Sequence, residues 1–118
     1  MADSDNAFDA NTDLSGAIPI IHLKGEITSD AEDVLLAAYE SVPSDRKGRI
    51  ILNFETTKYI NSSGIAILIQ LITRSSENEQ KIEFINLSPH FRKVMDIVGL
   101  TDFVQIFDSL DDAIKQGG

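Results

Sequence analysis

The tetrad Asn61-Ser62-Ser63-Gly64 concentrates the chemically useful side chains of this 118-residue chain. Two adjacent hydroxyls stand just before the apolar run Ile65-Ala66-Ile67-Leu68-Ile69-Gln70-Leu71-Ile72, the pattern of a helix whose first turn lies at the tetrad. A helix N-terminus leaves backbone N–H groups unpaired, and Asn61, Ser62 or Ser63 can each accept from one of them. Gly64 lets the backbone approach a neighbour or a ligand closely. The same terminus attracts negative charge. A phosphate on one of these serines would be held by the dipole and the free amides, yet would add roughly −1.5 to −2 charge to the surface. Modification there changes what the surface binds without unfolding the domain. The plainer reading of the same residues is that Ser62 and Ser63 only cap the helix.

Other chemistries have less support. His22 falls in a strand-like segment and His90 at a helix start, with no third histidine and no cysteine in the chain, so neither a metal site nor a cofactor is expected. A serine–histidine–aspartate triad would need a nucleophile elbow of the G-x-S-x-G kind, which the sequence lacks, and it also lacks a P-loop and a G-x-G-x-x-G turn. The chain is not expected to be an enzyme.

The elements that would position the tetrad follow from periodicity. Residues 1–14 are polar and acidic, an arm or a weak edge strand. Ile18–Leu23 reads as a strand with Pro19 at its start, broken by Lys24-Gly25-Glu26. Ser29 or Asp30 is expected to cap a helix with the stripe Val34, Leu35, Ala38 and Val42, ended at Pro43. Arg49–Phe54 has the continuous apolar character of a central strand buried on both faces, with Glu55–Ile60 as the loop into the tetrad. The second helix is apolar almost all round and is expected to be buried on several sides. Lys81–Leu87 is a strand, and Ser88-Pro89 starts a helix that Gly99 ends. Phe103–Phe107 is a short strand, and Ser109 with Asp112 caps the final helix Leu110–Gln116. The alternation predicts one α/β domain over 1–118. Its central sheet is mixed but mostly parallel, with about four to five strands covered by about four helices.

Composition narrows the function classes. Ten basic against 19 acidic residues leave a formal charge of −9, which repels nucleic-acid backbones and anionic membrane surfaces. Neither is expected as a partner. Met1–Ala17 carries no basic residue and no apolar stretch, so no signal peptide is expected, and Ile65–Ile72 is too short to span a bilayer. These features predict a cytoplasmic protein, which the absence of cysteine also suits.

The segment NFETTKYINSSGIAILIQL resembles the signature of the STAS domain, the family of anti-sigma factor antagonists and of sulphate-transporter tails. Asn53 matches the strand end of that pattern, Ile60 its hydrophobic position and Asn61–Gly64 its tetrad. Leu23-Lys24-Gly25-Glu26, Val94–Leu100 and Phe107–Ala113 resemble further family segments in the expected order, so the likeness extends over roughly Ile18 to Ile114.

The resemblance implies a bacterial signal-transduction phosphoprotein that regulates transcription by partner switching. Ser62 would be phosphorylated by an anti-sigma factor that is also a serine kinase of the histidine-kinase-like ATPase type. The unphosphorylated form would bind that kinase, the phosphorylated form would release it, and a metal-dependent serine phosphatase would reset the switch. Ser63 is the secondary acceptor, with Thr56 and Thr57 behind it. The docking surface is expected to include Lys58, Tyr59, Asn61, Ser62, Ser63 and Gly64. Gly25, Glu26 and Thr28 join it because loops at one end of a parallel sheet cluster. Asn61 stands where many phosphorylated members carry Asp, which removes a like charge beside the phosphate. A second reading keeps the fold without the modification, as a scaffold or subunit of a larger signalling or transport assembly.

Overall fold

The computed structural model describes residues 7–46 and 48–116. Its elements are β1 (Asp9–Asp13), β2 (Ile20–Ile27), α1 (Glu32–Glu40), β3 (Arg49–Ile60), α2 (Ser62–Glu77), β4 (Lys81–Ile85), α3 (Pro89–Ile97), β5 (Gln105–Phe107) and α4 (Leu110–Gln116). The five strands lie side by side in chain order. β2 to β5 are parallel, and β1 joins the outer edge of β2 antiparallel. The expected α/β domain with a mostly parallel sheet is what forms.

The strands alternate, and their two faces meet different layers. Ile21, Leu23, Ile50, Leu52, Phe54 and Phe84 point to the face that receives Leu35 and Tyr39 of α1, Leu68 and Leu71 of α2 and Met95 of α3. Phe54 and Phe84 pack ring to ring there, 4.8 Å between centroids. On the opposite face Ile20, Ile51 and Ile85 meet Ala113 of α4, flanked by Ile18, Phe107 and Leu110. Ile50 and Ile51 are thus buried on opposite sides of the same strand, as its continuous apolar run predicts.

This smaller layer also holds a charge. Glu83 is 1% exposed, and Arg49 grips it with Nε donating to Oε2 (2.8 Å) and Nη2 to Oε1 (2.7 Å). Nη2 also donates to the carbonyl of Ala113 at 3.0 Å, which ties α4 to the sheet. The Glu83 hydrogen bonds hold the Arg49 guanidinium above its ordinary pKa.

Several sequence expectations need correction. Lys24-Gly25-Glu26 does not end the first long strand. Gly25, at φ 92°, is absorbed with register shifts on both sides while β2 continues to Ile27. Residues 55–60 are strand and not loop. Beyond Asn53, β3 leaves β4 and pairs with β2 alone, Glu26 facing Tyr59 and Ile27 facing Ile60. This two-stranded extension carries the chain to the tetrad.

The helix cap upstream of α1 is Thr28, whose hydroxyl accepts from Asp30 N in a 3-10 turn over Ser29–Ala31, and not Ser29 or Asp30. Tyr39 fills the buried stripe, while Val34 is exposed. α2 is buried on one side only, through Gly64, Ile67, Leu68, Leu71, Ile72 and Ser75. β4 stops at Ile85, and β5 starts at Gln105. Ser88, Pro89, Gly99 and Ser109 act at the helix ends as expected. Of the acidic arm, residues 9–13 form the polar edge strand β1, and residues 1–6 lie outside the described residues.

Candidate functional site

The first turn of α2 is set by its contact with the end of β2. Asn61 is extended (φ −103°, ψ −176°), and its side-chain oxygen accepts from Gly64 N at 2.9 Å. Its own N–H donates to the carbonyl of Ile27 at 3.2 Å, and its carbonyl accepts from Ile65 N at 2.9 Å. A Cβ on Gly64 would sit 2.1 Å from the Ile27 oxygen, so only glycine allows the helix to seat this closely. Asn61 is therefore the cap. An aspartate at this position could cap the helix in the same way.

With the cap assigned, Ser62 and Ser63 become the first two helical residues. Both are exposed, and among the described residues neither hydroxyl takes part in a hydrogen bond. The reading in which these serines merely cap the helix fails on this geometry. Their N–H groups are among those a helix leaves unpaired, at the end where the dipole favours an anion.

The remaining site residues divide into two groups. Lys58 and Tyr59 are exposed, Tyr59 to 50%, on the β2–β3 extension just before the tetrad. Glu26 is half-buried opposite Tyr59, and Thr28 follows Ile27 at the point where α2 seats. Ile27 and Thr28 lie beside the tetrad because β2 and β3 end together, with Glu26 one pair back and Gly25 opposite Thr57. Two members carry structural duties: Gly25 is buried in the bulge and Thr28 is engaged as a cap.

Thr56 and Thr57, the distant acceptor candidates, both donate to the carbonyl of Leu23, at 3.3 and 2.9 Å. Leu23 lies between the two residues where the register slips, so these hydroxyls help to close the irregular ladder. Asn53, matched to the family's strand end, is a hub. Its Nδ2 lies 2.9 Å from His22 Nδ1, and its Oδ1 accepts from Asn86 Nδ2 (2.9 Å) and Glu55 N (3.0 Å). The other His22 ring nitrogen, Nε2, lies 3.8 Å from the Asp13 carboxylate. Asp13 is held below its ordinary pKa, first by the Ser15 hydroxyl and then by the Ser15 N–H. His90 packs against the Phe91 ring.

Neither histidine is hydrogen-bonded to Ser62 or Ser63 among the described residues: His22 meets Asn53 and Asp13, and His90 meets Phe91. Among the described residues there is also no group of three His, Cys, Asp or Glu side chains arranged to hold a metal. None of the described helices is long and apolar enough to cross a membrane. What the site offers is two exposed, unbonded hydroxyls at a helix end that Asn61 caps.

A mostly parallel five-stranded sheet whose third strand feeds an asparagine-capped helix with an exposed serine defines the class. The profile of the STAS domain matches residues 9–113, and the chain belongs to that family. Among solved structures it is similar to an anti-sigma factor antagonist from Mycobacterium paratuberculosis, at 18% identity and TM-score 0.78 over 93% of each chain. It is also similar to unphosphorylated SpoIIAA, an anti-sigma factor antagonist, at 22% identity and TM-score 0.68 over 93% of this chain and 96% of the other. The Bacillus protein SpoIIAA has a solved phosphorylated form as well. A third likeness is to the murine anion transporter Slc26a9, at 12% identity and TM-score 0.76, where 95% of this chain matches 22% of the transporter. No curated protein sequence matches the chain.

Proposed function

We propose that the chain is a phosphorylation-switched anti-sigma factor antagonist. In this reading it is a non-enzymatic cytoplasmic module of a bacterial transcription-control circuit. With Ser62 unmodified it binds a serine kinase of the histidine-kinase-like ATPase type that is also the anti-sigma factor. Phosphorylation of Ser62 releases that partner, and a metal-dependent serine phosphatase resets the switch. The carrying observation is that Asn61 takes the cap and leaves the Ser62 hydroxyl exposed and unbonded. A dianion placed there would be accommodated by the helix end but would oppose docking at a surface formed around a neutral serine. Ser63, one position further on, is the secondary acceptor. Lys58, Tyr59 and Asn61, with Glu26 and Thr28 beside them, form the surface that the partner reads, and the buried Gly25 and Gly64 shape the backbone beneath it.

Calorimetric titration of the kinase with three forms of the chain tests this. Wild type and Ser62→Ala are expected to bind alike, and Ser62→Asp at least about tenfold more weakly, the scale on which a like-charge juxtaposition acts at an interface. Binding of Ser62→Asp within twofold of wild type would contradict the switch. It would support the scaffold reading, which draws on the likeness to a transporter domain.

A further inference from the structure

The apolarity of α2 exceeds what the fold buries. With about 100° per residue, Ile69 falls within roughly 20° of Ser62 around the helix axis and about 10 Å further along it. Ala66 and Thr73 share this outward stripe, all of them exposed, Ile69 to 43%. The stripe runs from Ser62 into a groove of about 360 Å³, walled by Ile69, Ile72 and Thr73 of α2 and by Val98, Leu100 and Phe103 across from it. Phe103 stands 75% exposed on the turn after Leu100, the most exposed of the large apolar side chains described. A second hollow of about 480 Å³ continues past Phe103 along Ser75, Ser76 and Gln80. Single exposed apolar residues are ordinary, but a contiguous set in a concavity marks an interaction surface.

The charges at the groove are mostly acidic. Glu77 lines it and Asp102 adjoins Phe103. Arg74, one residue past Thr73, is turned to Glu40 in an ion pair, so it does not neutralise them. Lys81, at the far end of the second hollow, is the one basic residue lining either. The whole chain carries −9.

We propose that this groove receives an apolar side chain from a basic-flanked helical segment of a protein partner, and that this segment belongs to the partner that reads Ser62. The identity of the partner rests on the function proposed above; the groove and its charge do not. The outward stripe of α2 would form one continuous footprint, with the switch at its N-terminal end and an anchor two turns below. The anchor supplies affinity that phosphorylation does not touch, so the modified form is released by charge at one end of the footprint and not by loss of the whole surface. An amphipathic helix that lays its apolar face into a groove is an established mode of recognition.

The test uses the full chain labelled with 15N and three synthetic 14-residue helices, one of Leu and Lys, one of Ala and Lys and one of Leu and Glu. The Leu/Lys helix is expected to shift the amide signals of Ile69, Thr73, Val98 and Phe103 in a saturable way. The Ala/Lys helix should bind at least about tenfold more weakly, and the Leu/Glu helix not measurably. Ile69→Ser and Phe103→Ser, both at exposed positions, should each weaken the Leu/Lys helix at least about fivefold while amide signals away from the groove stay in place. Shifts spread over the acidic surface with equal affinity for Ala/Lys, or no response to either substitution, would overturn the proposal. Concentration-dependent shifts of the same residues without any peptide would overturn it too, since the occupant would then be a second copy of the chain. The titration involves no modification of Ser62, so its failure is distinguishable from failure of the switch.

Discussion

Arg49–Glu83 and Ser62–Ser63 are polar sites at opposite ends of β3, and the fold treats them in opposite ways. At the start of the strand the carboxylate is buried and both its oxygens are gripped by one guanidinium, which reaches on to α4. At the far end two hydroxyls stand in solvent with no partner among the described residues, while the neighbouring asparagine does the capping. A polar group that the fold requires is recognised by its complete set of partners. One that the fold leaves open is where a second molecule can act.

Breaking the closed site should have the largest effect. Arg49→Met leaves the Glu83 carboxylate buried without its cation, and a loss of about 3 kcal/mol in urea-unfolding stability is expected. The double variant Arg49→Met/Glu83→Leu, which removes both charges, should recover most of it. An equal loss in single and double variants would show that packing, and not the ion pair, holds α4.

Next in size is the seat of α2. Gly64→Ala drives a Cβ into the Ile27 carbonyl, and because the obstacle is backbone, about 1–3 kcal/mol is expected from thermal or urea melts. The amide signals of Ile27, Thr28 and Ser62 should shift together. A neutral Gly64→Ala would mean that the β2 end yields more easily than its pairing with β3 implies.

The open site should be the least sensitive. Asn61→Ala removes the cap at a cost of about 1 kcal/mol, whereas Asn61→Asp should match or slightly exceed wild type, since a carboxylate suits the helix dipole. Ser62→Ala and Ser63→Ala should each stay within about 0.5 kcal/mol. A larger loss for Ser62→Ala would return that serine to a structural role and erase the contrast with Arg49–Glu83.

How much of this was legible in the sequence depends on whether the deciding contact was local. The strand–helix alternation was readable because Ile50–Leu52, the Ser88-Pro89 start and the Ser109 cap are local signals. The tetrad was readable as a helix start, but which side chain caps it was not. Asn61, Ser62 and Ser63 can all serve, and the choice was made by β2, whose Ile27 carbonyl fixes Asn61 and leaves room only for Gly64.

Residues 55–60 read as loop because Glu55, Thr56, Lys58 and Tyr59 are exposed and the buried Thr57 spends its hydroxyl on the Leu23 carbonyl. The extension they form has no strand on its β4 side and remains strand through pairing with β2. Gly25 read as a break because a bulge absorbed by a partner strand looks like a turn in one dimension. The Arg49–Glu83 pair joins residues 34 positions apart, and its only trace was a glutamate within Ile82-Glu83-Phe84. The apolar outward stripe of α2 was visible but assigned to burial, and only the structure separated the two.

The central claim, that Ser62 is a switch and not a structural residue, is tested most directly by intact mass with fragment mapping. The protein would be taken from its native host under growth and under stress or nutrient limitation. The account predicts a single phosphate on Ser62 whose occupancy changes with condition. Ser62 unmodified in every condition, with its kinase shown to be present, would contradict it.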